Sequence, residues 1–145
     1  MRVMLLLADF AQVAENKLYV MGGGWSVAGP GPTTMAVAVK IDVPWDQTNL
    51  THRWRLELVD ADGQPVPRPT PEGDQPIMVS GEFEVGRPSG LPEGTPIDLP
   101  MAVNLVGVPL PAHQRLVWKM WIDDETREDW ELRFTTRPAA PQPAG

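Results

Sequence analysis

The chain has 145 residues, 42% of them hydrophobic, a length that fits one domain with an ordinary core and no need of covalent staples. It has no cysteine, which excludes disulfides, thiolate metal ligands and a cysteine nucleophile. Twelve Lys and Arg against 19 Asp and Glu give a formal charge of −7 with no basic block, so a nucleic-acid partner is not expected.

The first apolar stretch stops at Asp9 without a small-residue cleavage site, and no run of about 18 apolar residues follows it. Neither a signal peptide nor a membrane span is expected, and the expected location is cytoplasmic. Apolar residues alternate with period two between Gly and Pro clusters, and no segment keeps helical spacing over three turns. The 17 prolines and 13 glycines agree with an all-β chain, since they break helices and serve turns and sheet edges.

In chain order, Val3 to Phe10 and Lys17 to Gly22 read as the first two strands, joined around Ala14, Glu15 and Asn16. Gly22-Gly23-Gly24 then lets the backbone bend out of its sheet. Met35, Val37, Val39, Ile41 and Val43 form the apolar face of a third strand. From His52 to Val59, Trp54, Leu56 and Leu58 point one way while Arg53, Arg55 and Glu57 point the other.

Asp62-Gly63 marks a turn before a short return strand near Gln64 to Val66. Residues 65–76 read as a proline-rich loop, and Ile77, Val79, Phe83 and Val85 as a strand with a bulge at Gly81. After a second loop over residues 86–96, Ile97 to Leu110 is a proline-interrupted edge strand. Leu116, Trp118, Met120 and Ile122 then pair with Trp130, Leu132 and Phe134 in a C-terminal hairpin, across the acidic connection Asp123 to Asp129. Trp54, Trp118 and Trp130 are expected in the core, each indole N–H finding a carbonyl.

These elements predict an antiparallel two-sheet β-sandwich of Ig-like or C2-like Greek-key kind, with seven to nine strands and no disulfide. Residues 1–136 make the domain, and residues 137–145 a disordered tail rich in Pro and Ala.

Leu7-Ala8-Asp9-Phe10-Ala11-Gln12-Val13, Lys17-Leu18-Tyr19 and Gly22-Gly23-Gly24-Trp25, with Glu57 to Gly63 and Trp118 to Asp123, give the chain a resemblance. It resembles an uncharacterised family of small bacterial, mainly actinobacterial, proteins over about Val3 to Thr136. The resemblance implies a β-sandwich of unknown function and carries over no functional residue. The family pattern has Gly where Asn16 and Asp124 stand, a departure that bears on turn geometry.

Ser26 lies in a Gly-x-Ser setting, yet Ala28 stands where a nucleophile elbow has Gly, and Gly29-Pro30-Gly31-Pro32 cannot begin a helix. The glycines lack the Lys-Ser/Thr of a phosphate loop. His52 and His113 lack zinc-ligand spacing, and Glu82 and Glu84 share one strand face rather than straddling a cleft. No enzyme and no cofactor are expected.

The expected function is a non-catalytic binding or scaffold module, self-associating or protein-binding, with a surface at Trp25, Trp45 and Trp121, the tryptophans outside the core pattern. One alternative is a calcium- or lipid-dependent module of C2 type using Asp60, Asp62, Asp123 and Asp124. A carbohydrate platform is a third.

Overall fold

Residues of alternating character build eleven strands in three sheets in the computed structural model, which describes residues 1–140. In chain order they are β1 (Arg2–Ala14), β2 (Lys17–Gly23), β3 (Val27–Ala28), β4 (Gly31–Val43), β5 (His52–Asp60), β6 (Pro67–Thr70), β7 (Gly73–Pro76), β8 (Met78–Phe83), β9 (Ile97–Leu110), β10 (Arg115–Ile122) and β11 (Glu131–Thr136). The described residues contain no α-helix, only short 3₁₀ turns at Trp45–Gln47 and Glu128–Trp130, and no helix long and apolar enough to cross a membrane.

A four-stranded sheet has the order β2-β1-β4-β9, and a five-stranded sheet the order β3-β11-β10-β5-β8. One core joins them. Leu7, Val37, Val39 and Ile41 come from the first sheet, Leu56, Leu58, Leu116, Trp118 and Met120 from the second. The one-sided patterns of β5 and β10 produce this packing directly, because Leu56, Leu58, Leu116, Trp118, Met120 and Ile122 of their apolar parity are buried while Arg53, Arg55, Lys119 and Trp121 stay on the other face.

The four-stranded sheet also buries part of its outer face. Ala8, Ala11, Ala36 and Ala38 are covered, with Leu18, Val20 and Ala102 packed against them. Residues Arg2 to Ala8 of β1 pair with β4, and Ala8 to Ala14 pair with β2. Between these halves the pairing skips Asp9 and Gly22. Gly22 has φ +61° there, and a Cβ on it would strike the Asp9 carboxylate, so glycine is required.

The inward side of β1 changes at this kink, from even-numbered Ala8 to odd-numbered Ala11. Asn104 of β9 donates from Nδ2 to the Ala11 carbonyl at 2.8 Å and accepts the Ala11 N–H at Oδ1, 3.2 Å. Asn16 and Leu18 line a groove with Met4, Lys40 and Pro100. The distal β1–β2 hairpin therefore lies across the outer face of its own sheet, on a floor of alanines small enough to admit it.

Several expectations change. Seven to nine strands in two sheets become eleven in three, partly because residues 65–76 are not a loop: β6 and β7 pair there, turning at Gly73 with φ +110°. Their prolines cause no conflict in an isolated two-stranded ribbon, which has free edges on both sides. Gly81 is not a bulge, for β5 and β8 stay in register through Trp54 and Gly81. It is glycine because a Cβ would stand 2.9 Å from the Trp54 indole nitrogen.

Gln64 to Val66 forms only a bridge from Pro65 to Val59. Trp118 and Trp130 are buried, but their indole N–H groups have no hydrogen-bond partner among the described residues, and Trp54 is half-buried at the rim. Asn16 and Asp124 adopt φ +57° and +64°, the left-handed conformation in which Asn and Asp replace Gly at least cost. Residues 137–140 carry no strand; the expected disordered tail otherwise falls on residues outside those described.

Replacing Asn104 by Ala strips two backbone groups of Ala11 of their partner and is expected to cost about 1–3 kcal/mol. Hydrogen exchange should then quicken first at the amides of residues 10–21 and leave those of β10 protected. Uniform loss of protection would show that the hairpin is not docked as a separate layer.

Candidate functional site

The residues singled out as a binding surface do not converge. Trp25 follows the kinked glycines and packs, half-buried, against the main core. Trp45 sits in the β4–β5 crossover beneath Arg87, whose guanidinium lies 4.4 Å from the ring centre. Arg87 also donates from Nε to Thr48 Oγ1 at 2.6 Å and from Nη2 to the Trp45 carbonyl, so the loop is tied down on two sides. Trp121 lies on the outer face of the five-stranded sheet between Arg55 at 4.6 Å and Lys119 at 5.2 Å. Each tryptophan has its own cover, and the three occupy separate places.

The four aspartates divide between opposite ends of β5. Asp60 Oδ1 accepts the N–H groups of Asp62 and Gln64, both at 2.9 Å, closing the turn before Gly63. Asp123 and Asp124 form the two-residue turn after β10, where Asp124 pairs with Arg53 at 2.8 Å. No group of three or more potential metal-ligating side chains occurs among the described residues. The four carboxylates thus share no calcium site. Raising calcium to millimolar concentration is expected to leave the thermal unfolding midpoint unchanged, whereas a rise would require ligation in the folded state.

Asp123, exposed on its turn, bonds to the fold itself. Its Oδ1 accepts the Arg53 N–H at 3.0 Å, and its Oδ2 lies 2.7 Å from His52 Nδ1. The other ring nitrogen, Nε2, lies 2.8 Å from the Gln47 carbonyl. A carboxylate and a carbonyl only accept, so both contacts are satisfied when the imidazole carries both protons. The ring is buried and stacks on Phe83 at 5.1 Å between centres.

Burial opposes the charge on His52, but the bonds to Asp123 and Gln47 outweigh it and hold its pKa above the ordinary 6.5. The bond from His52 in turn holds Asp123 below 3.8, burial opposing. His52 is therefore a tie between crossover loop, β5 and the β10 turn. Ser26 is exposed, and its hydroxyl makes no hydrogen bond to either histidine. Glu82, expected on a solvent face, is exposed opposite Arg53.

The stabilising contribution of His52 is complete below pH 6.5 and is lost as pH rises through its raised folded value; that of Asp123 is complete above 3.8 and is lost as pH falls through its lowered one. Asp123→Asn keeps a side chain that tolerates φ +51° and removes the charge. It is expected to cost roughly 1–3 kcal/mol, to lower the His52 pKa in an NMR titration, and to flatten the alkaline decline in urea stability. An unshifted His52 titration would mean that the two groups are not coupled.

The surface that sequence patterning missed is the docked hairpin. Its inward positions are Ala11, Leu18 and Val20; its outward positions are Phe10, Gln12, Tyr19 and Met21, with Phe10 paired to Met21 and Gln12 to Tyr19. Tyr19 is 51% exposed and Met21 66%, against 45% for Phe10. Met4 and Leu6, 56% and 41% exposed, lie beside Leu18 along a groove of about 460 Å³. At its end Lys40 bridges Asp42 at 2.7 Å and Asp98 at 3.0 Å, and these bonds, Asp42 first, raise its pKa.

The signal was present in two places. Val3 to Ala8 is an unbroken apolar run with no polar parity, and Leu18-Tyr19-Val20-Met21 is another. A strand of that kind is apolar on both faces, so either both are covered or one is left for a contact.

By its architecture the chain is an all-β module with a hairpin laid over its own sheet and an apolar surface on that hairpin. It belongs to a family of unknown function, DUF6941, whose model matches residues 3–135. No curated protein and no solved structure matches it.

Proposed function

We propose that the protein is a non-catalytic, protein-binding module whose contact surface is the outward face of the β1–β2 hairpin together with Met4 and Leu6. The observation that carries this reading is the exposed apolar group Phe10, Tyr19 and Met21 on one face of the hairpin, Phe10 paired to Met21, with the exposed Met4 and Leu6 in the groove on the Leu18 side. Contiguous apolar surface of this kind costs solubility and marks contact sites, whereas single exposed apolar residues need no explanation. The tryptophans move from contact residues to packing residues in this reading, because Trp25 is packed on the core and cations cover Trp45 and Trp121.

The larger two sheets, sharing one core, support a sandwich of Greek-key kind as the scaffold. The absence of cysteine suits a cytoplasmic location. The commitment of both His52 nitrogens to structural partners supports the non-catalytic reading, since a general base needs a free lone pair.

A photo-crosslinking amino acid placed at Tyr19 or Met21 tests the surface in the cell that makes the protein. Adducts are expected at both positions and not at Leu50, which is similarly exposed at 53% but lies in the β4–β5 loop. Equal labelling at Leu50, or none at the hairpin, would remove the hairpin from consideration as a contact surface.

A further inference from the structure

Resting on that reading of the hairpin, we infer that its partner is a second copy of this chain, joined by antiparallel pairing of β2 with β2 about a twofold axis at Tyr19. The edge that such pairing needs is identified by the hydrogen bonds of its neighbour. Ala11 directs its N–H and C=O to Asn104, so Ala11 and Val20 form a non-hydrogen-bonded pair of the hairpin. By the alternation of an antiparallel ladder, Leu18 and Val20 then turn their own N–H and C=O groups outward, away from β1. The two-residue turn at Glu15 and Asn16 agrees, because its closing pair, Ala14 and Lys17, must be a bonded one.

The edges at β9, β3 and β8 are blunted in ways natural edges commonly are. β9 carries Asp98, Pro100 and Pro109, β3 is two residues long, and β8 carries Gly81 and Glu82. β2 reads Lys-Leu-Tyr-Val-Met-Gly-Gly, without proline or acid. The chain's charge of −7 does not oppose contact here, since between Phe10 and Trp25 the charged residues are Glu15 and Lys17, which cancel.

Antiparallel pairing about Tyr19 is self-complementary, as a twofold contact must be. Leu18 exchanges two hydrogen bonds with Val20 of the other copy, and Val20 two with its Leu18. On the outward face Tyr19 meets its own counterpart, and Lys17 lies across Met21 with its ammonium toward Phe10, a cation–π arrangement. Contacts of this extent stand at the low end of stable interfaces, near about 1,000 Å² in total, so the dimer is expected to dissociate on dilution.

Sedimentation equilibrium of the full chain over a micromolar to millimolar series should show the mass rise from one chain to two. Tyr19→Glu, which sets like charges face to face at the axis, and Val20→Pro, which removes an outward N–H and no bond within the hairpin, should both stay at one chain with circular dichroism unchanged. Because the chain has no cysteine, Tyr19→Cys gives a clean positional probe. It is expected to oxidise to a covalent dimer at least tenfold faster than Leu50→Cys. A wild-type mass of one chain throughout, a dimer indifferent to both substitutions, or equal oxidation at the two cysteines would each overturn the pairing. A monomer that still crosslinks at Tyr19 to a different protein in the cell would overturn the self-pairing while leaving the hairpin a binding surface.

Discussion

The approach of the β1–β2 hairpin to the outer face of its own sheet is the constraint on which the rest of the molecule depends. It requires side chains no larger than Ala at Ala8, Ala36, Ala38 and Ala102, because a strand laid over a sheet cannot come close across branched residues. It also requires Gly22 at the kink and a polar group able to receive the backbone of Ala11, which Asn104 supplies. β4 is consequently buried on both faces from Met35 to Val39, with valines and methionine against the main core and alanines against the hairpin. A strand normally burying one face thus serves two cores of unlike texture, one filled by large side chains and the other by close backbone approach.

Electrostatics is organised around the opposite need, which is to hold the crossover between sheets. The β4–β5 loop must carry the chain from one sheet to the other with a single 3₁₀ turn of regular structure, and its carbonyls need donors. Arg87 supplies one at Trp45 and also binds the Thr48 hydroxyl, and His52 supplies one at Gln47. The acidic turn at Asp123 anchors His52 from the other side and accepts the Arg53 N–H. Asp123, a carboxylate that resembles part of a metal site in a linear chain, is therefore consumed by backbone and by one imidazole, and Asp124 by the Arg53 guanidinium. The same accounting applies at Asp60, whose oxygen closes its own turn.

Legibility followed how many faces each strand buries. β5, β10 and β11 each bury one face, so their alternation names the core residues Leu56, Leu58, Leu116, Trp118 and Phe134 from sequence alone. β1 could be located but not assigned, because Val3 to Ala8 has no polar parity and its inward side changes at Asp9. Periodicity measures one exposed face, and it carries no information where both are apolar. Proline content misled at residues 67–76, since it forbids a central strand but not a two-stranded ribbon. A tryptophan outside the core pattern was not thereby a free ring, for a related reason: a large ring in a loop gains by packing on the core, as Trp25 does, or beneath a guanidinium, as Trp45 does.

The location of the exposed apolar surface follows from the docking itself. A hairpin that leaves its sheet to cover an alanine floor keeps only one face for that floor, and Leu18 and Val20 occupy it. Were the hairpin merely a lid, its outward face would be expected to carry polar residues, as the outer face of β5 does with Arg53, Arg55 and Glu57. Beside Gln12 and Lys17 it carries Phe10, Tyr19 and Met21, at the edge where the backbone groups of Leu18 and Val20 lack strand partners. Apolar side chains and an unblocked edge in the same seven residues are the combination that solitary strands avoid, because it favours pairing with another chain. The docked layer thus resolves one burial problem, that of the alanine face, and presents another that contact with a second strand would resolve.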